Sequence, residues 1–111
     1  MKYIRTKDDK ILSFTPIKKY ENDKTTFEWF VANYCGGGIN ILKQADTIKE
    51  LCDEFVVAYE DGARIVYSDL EWAKCKAKTS PIKSTIYGAI WTDKGLIYVA
   101  KMNEKGELEL L

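Results

Sequence analysis

The side chains of this 111-residue chain best suited to covalent or acid–base chemistry are three cysteines, Cys35, Cys52 and Cys75, and three adjacent acid pairs, Asp8-Asp9, Asp53-Glu54 and Glu60-Asp61. Histidine is absent, which removes the commonest general base and the commonest metal ligand together. Cys35 stands before Gly36-Gly37-Gly38, an arrangement that invites a nucleophile beside backbone donors. A thiolate nucleophile needs a lowered pKa and a proton shuttle, and only lysine or a carboxylate is left to provide them. The triple glycine also lacks the Lys-Ser/Thr that completes a phosphate loop. It reads as a strand end followed by a turn.

Cys52 falls on an apolar stripe and reads as core. Cys75 lies between Lys74 and Lys76, where a neighbouring cation would raise thiol reactivity. The three cysteines show no CxxC spacing, so the sequence calls for no metal and no cofactor. Asp8-Asp9 and Glu60-Asp61 fall at expected turns, where such residues bond their own backbone. Asp53-Glu54 falls on the expected solvent side of a helix. These patterns describe solvated surface better than a catalytic pair, and the chain reads as non-enzymatic.

Binding chemistry is written more clearly. The 17 Lys and Arg balance 17 Asp and Glu, whereas a dedicated duplex-DNA binder carries a basic excess. The charge is uneven: Asp46, Glu50, Asp53, Glu54, Glu60 and Asp61 stand against Lys49 alone, and Lys74, Lys76, Lys78 and Lys83 follow without an acid among them. The candidate partner-binding residues are therefore Asp53, Glu54, Glu60 and Asp61 on the acidic side, and Trp72, Lys74, Lys76 and Lys78 on the basic side. Lysines spaced by two do not all share one helical face. Trp29, Phe30, Tyr34, Tyr87, Trp91 and Tyr98 are able to stack on bases, but no basic groove accompanies them in the sequence, and they read as core.

The elements that must position these groups follow from pattern. Lys2 to Phe14 reads as a hairpin turning at Lys7-Asp8-Asp9, and Thr25 to Tyr34 alternates as a strand. Ile39 to Leu42 is strand-like. Thr47-Ile48-Lys49-Glu50 has the form of a capping box, and Ile48, Leu51, Cys52 and Phe55 repeat at helical spacing, predicting a first helix. Val56 to Tyr59 and Arg64 to Tyr67 read as strands around Glu60-Asp61-Gly62. Ser68-Asp69-Leu70-Glu71 is a second capping box, predicting a short helix to about Ala77 that Ser80-Pro81 ends. Ile86 to Met102 reads as a hairpin around Thr92-Asp93-Lys94-Gly95 with a glycine bulge. Ile86, Gly88 and Ile90 share one of its faces and Tyr87, Ala89 and Trp91 the other, so both faces need cover. Glu107 to Leu110 suits a short edge strand.

The expectation is a single α+β domain over residues 1–111: a mainly antiparallel sheet of about six to eight short strands with two short helices packed on it. With no signal peptide at the start and no apolar run near the roughly 20 residues of a membrane span, a cytoplasmic protein with reduced thiols is expected.

Two strings, Lys43 to Val57 and Ile86 to the C-terminus, together with the opening Lys2 to Asp8, resemble small orphan proteins of phages and prophages of Gram-positive bacteria. Thr15 to Asn40 lies outside the likeness. The group has no established activity, so the resemblance carries over no functional residues. It implies a setting: small phage accessory proteins act by binding host proteins, inhibitors of CRISPR nucleases among them. The leading expectation is thus a protein–protein binder that inhibits a host antiphage defence enzyme, with the acidic run Asp46 to Asp61 as a mimic of phosphate. The alternatives are a single-stranded nucleic-acid-binding accessory protein and a binder of nucleotide-type signals. The oligomeric state is open.

Overall fold

A computed structural model describes residues 2–14 and 41–111. The expected strand at Thr25 to Tyr34 and the Cys35-glycine turn lie outside the described residues. The chain divides after Thr47 into two compact units.

In the first unit, β1 (Lys2–Thr6) lies between β2 (Ile11–Phe14) and β3 (Ile41–Ala45), antiparallel to both. Ile4, opposite Leu12 on one side and Gln44 on the other, is fully buried. The hairpin turn sits where the acids predicted it. Asp9 takes φ +64°, a left-handed conformation that aspartate tolerates better than most residues. The Thr6 hydroxyl donates to the Asp8 carboxylate, and this bond, with Lys10 as a weaker ally, holds the Asp8 carboxyl below its ordinary value. A depressed carboxyl steadies the fold above its unfolded pKa and loses that effect as pH falls.

The second unit is a five-stranded antiparallel sheet ordered β5-β4-β6-β7-β8, with one helix on it. Its strands are β4 (Glu54–Tyr59), β5 (Arg64–Tyr67), β6 (Ser84–Thr92), β7 (Gly95–Met102) and β8 (Leu108–Leu110), and the helix α1 spans Leu70–Thr79. Residues paired across an antiparallel ladder share a face. Phe55 pairs with Tyr67 and Gly88, and Val57 with Ile65 and Ile86. That face receives Leu70 and Ala73 of α1, and Phe55, Val57 and Ile86 are buried beneath them. The expected α+β class and antiparallel sheet hold, with the strands divided between two sheets.

One expected helix is absent among the described residues. Thr47 to Glu50 opens only a 3-10 turn, Lys49–Leu51, whose N-cap is Ile48 and receives no side-chain cap bond. By Glu54 the chain is already a strand. The β-branched pair Val56-Val57 favours extended backbone, and β4 gains two neighbours in the sheet where a helix would gain none. The Asp53 N–H donates to the Ala89 carbonyl at 2.9 Å, which starts the pairing with β6. The apolar stripe still points inward: Ile48, Leu51 and Phe55 are buried. A tight turn followed by a strand satisfies the same spacing that suggested a helix.

The second helix forms one residue later than its capping box implied. Asp69, not Ser68, is the N-cap, its carboxylate accepting from the Glu71 N–H at 3.2 Å. Ser80 is extended before Pro81, as a residue preceding proline prefers, and this stops the helix. In the β6–β7 turn Gly95 has φ +103°. Asp9 is the one described non-glycine residue with positive φ, so Asp93 and Lys94 cannot form the double-positive two-residue turn. The turn is of the type closed by a left-handed glycine, as expected. A further irregularity, unforeseen, falls between Gly88 and Ala89, where the register to β7 shifts.

Gly88 is fixed by a close approach. A Cβ built there would lie 2.6 Å from Cys52 Sγ. Gly88→Ala should therefore cost about 1–3 kcal/mol through overpacking, read by chemical denaturation. Removing the sulfur as well, in Cys52→Ala/Gly88→Ala, should recover most of that loss; no recovery would mean that the crowding lies elsewhere.

Candidate functional site

Antiparallel pairing brings distant sequence segments to one end of the second unit's sheet. Tyr59, the last residue of β4, pairs with Ser84, the first of β6. Tyr87 pairs with Lys101, so the start of β6 also meets the end of β7. A groove of about 840 Å³ opens at this end. Its walls are the second half of α1, the connection Ser80 to Lys83 and the β7–β8 turn, with Glu60 joining from the β4–β5 turn.

Local bonds fix each wall. The Glu60 N–H donates to the Lys83 carbonyl at 2.9 Å, tying the β4–β5 turn to the start of β6. The Ser80 hydroxyl accepts from the Ile82 N–H at 3.2 Å. Asn103 holds the β7–β8 turn, its side-chain oxygen accepting from Lys105 N–H at 2.9 Å and Glu107 N–H at 3.0 Å.

The groove carries four lysines, Lys74, Lys78, Lys83 and Lys105, against two glutamates, Glu60 and Glu104. Its apolar surface comes from Ala77, Pro81, Ile82, Ile86 and Met102. Lys74 reaches Glu71 at 3.6 Å. Among the described residues Lys78, Lys83 and Lys105 make no ion pair within 4.0 Å. The groove thus sets exposed lysines beside a mixed lining, in which the apolar residues are interspersed with Ser80, Ser84 and Thr85.

The expected partner-binding residues separate into three places. Lys74, Lys78 and Glu60 meet in the groove. Lys76 and Trp72 lie outside it and pair with each other, the ammonium 4.9 Å from the indole centroid. Trp72 remains 53% exposed, so that side of the helix is an open aromatic–cation patch. The acidic run does not assemble. Asp53 precedes β4 and Glu60 follows it, and at about 3.4 Å per residue the strand holds them roughly 24 Å apart. The Asp53 carboxylate accepts from the Trp91 N–H at 2.8 Å, a structural task at a strand end. Asp61 accepts from Ala63 N–H at 3.0 Å within its own turn, and Glu54 is half-buried at the start of β4.

Sequence reasoning missed Ile82 and Lys105 as groove residues. Ile82 was legible only as part of a connection, and its 40% exposure is the signal that marks it. Lys105 stands 22 positions beyond Lys83 along the chain, and only the β6–β7–β8 meander returns it.

The sheet face opposite α1 carries the aromatic candidates. Tyr87 and Tyr98 stack with centroids 4.7 Å apart and planes 15° from parallel. Arg64 lies 5.8 Å from the Tyr98 centroid and donates to its hydroxyl at 3.3 Å. Beneath this layer Val56 is 1% exposed. These groups engage one another, so Tyr98 does not stand as a free platform for a base. Trp91 on the same face is 53% exposed, which corrects its reading as core: it stands next to the β6–β7 turn, at the end of its strand. Trp29, Phe30 and Tyr34 lie outside the described residues.

Cys75 is exposed on α1. Among the described residues no three Cys, Asp or Glu side chains gather as a metal site would require, and no helix is long and apolar enough to cross a membrane. Comparison with protein-family models, with curated proteins and with solved structures found no match.

Asp53 offers a check on the division between structural and contact roles. Asp53→Ala should cost about 1 kcal/mol of stability by orphaning the Trp91 N–H. Lys78→Ala, exposed and unpaired, should stay within about 0.5 kcal/mol of the parent. Equal losses in urea titrations would refute the assignment.

Proposed function

We propose that this chain is a non-enzymatic, phage-type accessory protein that acts by binding a host protein in the host cytoplasm, and that its target is an antiphage defence enzyme such as a CRISPR effector. The observation that supports this reading best is the groove at the end of the five-stranded sheet, where Lys78, Lys83 and Lys105 stand beside the apolar Pro81, Ile82 and Met102, and Trp72 with Lys76 extends the exposed surface beyond it. Apolar anchors ringed by charge are the anatomy of a protein-binding patch. The likeness of Lys43 to Val57 and of the C-terminal hairpin to small phage proteins supports the setting.

The mechanism is occlusion. Bound over a catalytic cleft or a moving domain, the protein denies its target access to nucleic acid. Because Asp53 and Glu60 stand at opposite ends of β4, the acidic run expected as a phosphate mimic presents no single patch. The basic groove takes its place as the main contact. Binding of single-stranded nucleic acid is disfavoured by the mutual engagement of Tyr87, Tyr98 and Arg64.

The test is direct. Purified protein is mixed with a panel of host defence nucleases, CRISPR effectors included, and followed by gel filtration and by cleavage assays. Co-elution at low salt with loss of cleavage is expected from at least one, and raising the salt should weaken the complex roughly tenfold through screening of the lysines. If every nuclease elutes alone and cleaves at its full rate, the reading is wrong.

A further inference from the structure

We infer that the groove bounded by α1, the Pro81–Lys83 connection and the β7–β8 turn is built to take an acidic, amphipathic peptide segment of a partner protein. The inference rests on the reading that the protein acts by binding another protein, and it names the chemistry of what is bound.

Three features of the groove choose this occupant. First, the charge is complementary to carboxylates. Lys78, Lys83 and Lys105 lie at the rim without an ion-pair partner among the described residues, so a carboxylate approaching them displaces no existing bridge. Second, part of the lining is apolar, alongside Ser80, Ser84 and Thr85. Ile82 is 40% exposed on the wall, and Met102 lies half-buried beside Ile86. An occupant must therefore present a hydrophobic side chain as well as acids, because a purely ionic strand would desolvate that surface for no return.

Third, nucleic acid fits less well. Among the described residues no aromatic ring lines the groove, and Trp72 is engaged by Lys76 outside it, so these residues offer unpaired bases no stacking surface. Glu60 and Glu104 stand in the same groove and would repel a continuous phosphate backbone. A peptide with spaced acids can set its carboxylates at the lysines and leave the glutamates to backbone amides or to water.

The walls are also pre-set. The Glu60–Lys83, Ser80–Ile82 and Asn103 bonds hold three separate segments in place, so an occupant has little ordering to impose before it binds.

The experiment uses the full chain and fluorescence anisotropy with four labelled probes. These are a peptide alternating glutamate with leucine, its lysine-for-glutamate counterpart, an all-glutamate peptide, and a single-stranded oligonucleotide. The alternating acidic peptide should bind at least about tenfold more tightly than the other three, and Lys78→Glu/Lys83→Glu should lower its affinity by about tenfold or more. Ile82→Asp should weaken the alternating peptide several-fold. Lys94→Glu, in the β6–β7 turn at the other end of the sheet, should change binding less than twofold. Circular dichroism and a thermal melt verify that each variant is folded. Tighter binding of the oligonucleotide or of the basic peptide, or indifference to the charge reversal in a folded variant, overturns the inference.

The same variants separate the two levels of argument. A defence nuclease bound and inhibited equally by the parent and by Lys78→Glu/Lys83→Glu refutes the groove as the contact and leaves the function standing. Peptide binding that follows the groove, with no nuclease inhibited by any form, refutes the function and leaves the groove.

Discussion

The second unit depends on a run of three neighbours, Phe55, Val56 and Val57, all buried although they alternate in direction. A strand apolar on both sides must sit inside a sheet and be covered twice. Its place between β5 and β6 meets the first demand. Helix α1 covers Phe55 and Val57, and on the opposite face Val56 pairs with Tyr87 and lies beside Arg64 and Tyr98. The same demand removes the helix that the capping box at Thr47 suggested. Local propensity offered a few tenths of a kcal/mol per residue there, whereas burying a valine or phenylalanine side chain is worth about 1.5–3 kcal/mol.

That central pairing also makes the groove. Because every described strand pair is antiparallel, the end of β4, the start of β6 and the end of β7 share one end of the sheet. Segments that are unremarkable in sequence, such as Ser80 to Lys83 and Glu104 to Gly106, thereby become facing walls. Helix α1 contributes Lys74 and Lys78, four residues apart on one side, and turns Lys76 outward to Trp72. A single lysine-rich stretch is thus split into two surfaces with different chemistry.

Gly88 shows how tightly the interior is set. Cys52, just before β4, lays its sulfur over the strand at a position where no Cβ fits. Next to it the β6–β7 register slips, and a bulge of this kind bends the strand and strengthens its twist. A lone glycine inside a strand is a general signal for such features, but which neighbour approaches and where the register slips depend on what lies across the sheet.

Taken by itself, the sequence determined the local vocabulary: the turns at Asp8-Asp9, Gly62 and Gly95, the strands from Val56 onward, the stop at Pro81, and the inward set of Ile48, Leu51 and Phe55. It also determined that lysines of α1 must diverge, since 3.6 residues per turn leaves no choice. Only the tertiary structure decided whether Ile48 to Phe55 is helix or strand, because periodicity reports burial and a turn followed by a strand buries the same residues. It alone decided that Asp53 and Glu60, close in the chain, are parted by the length of β4, and that Lys83 and Lys105, far apart in the chain, line one groove. An extended strand separates what lies along it and the hairpin rejoins what lies beyond it, so proximity in this protein is set by pairing rather than by sequence distance.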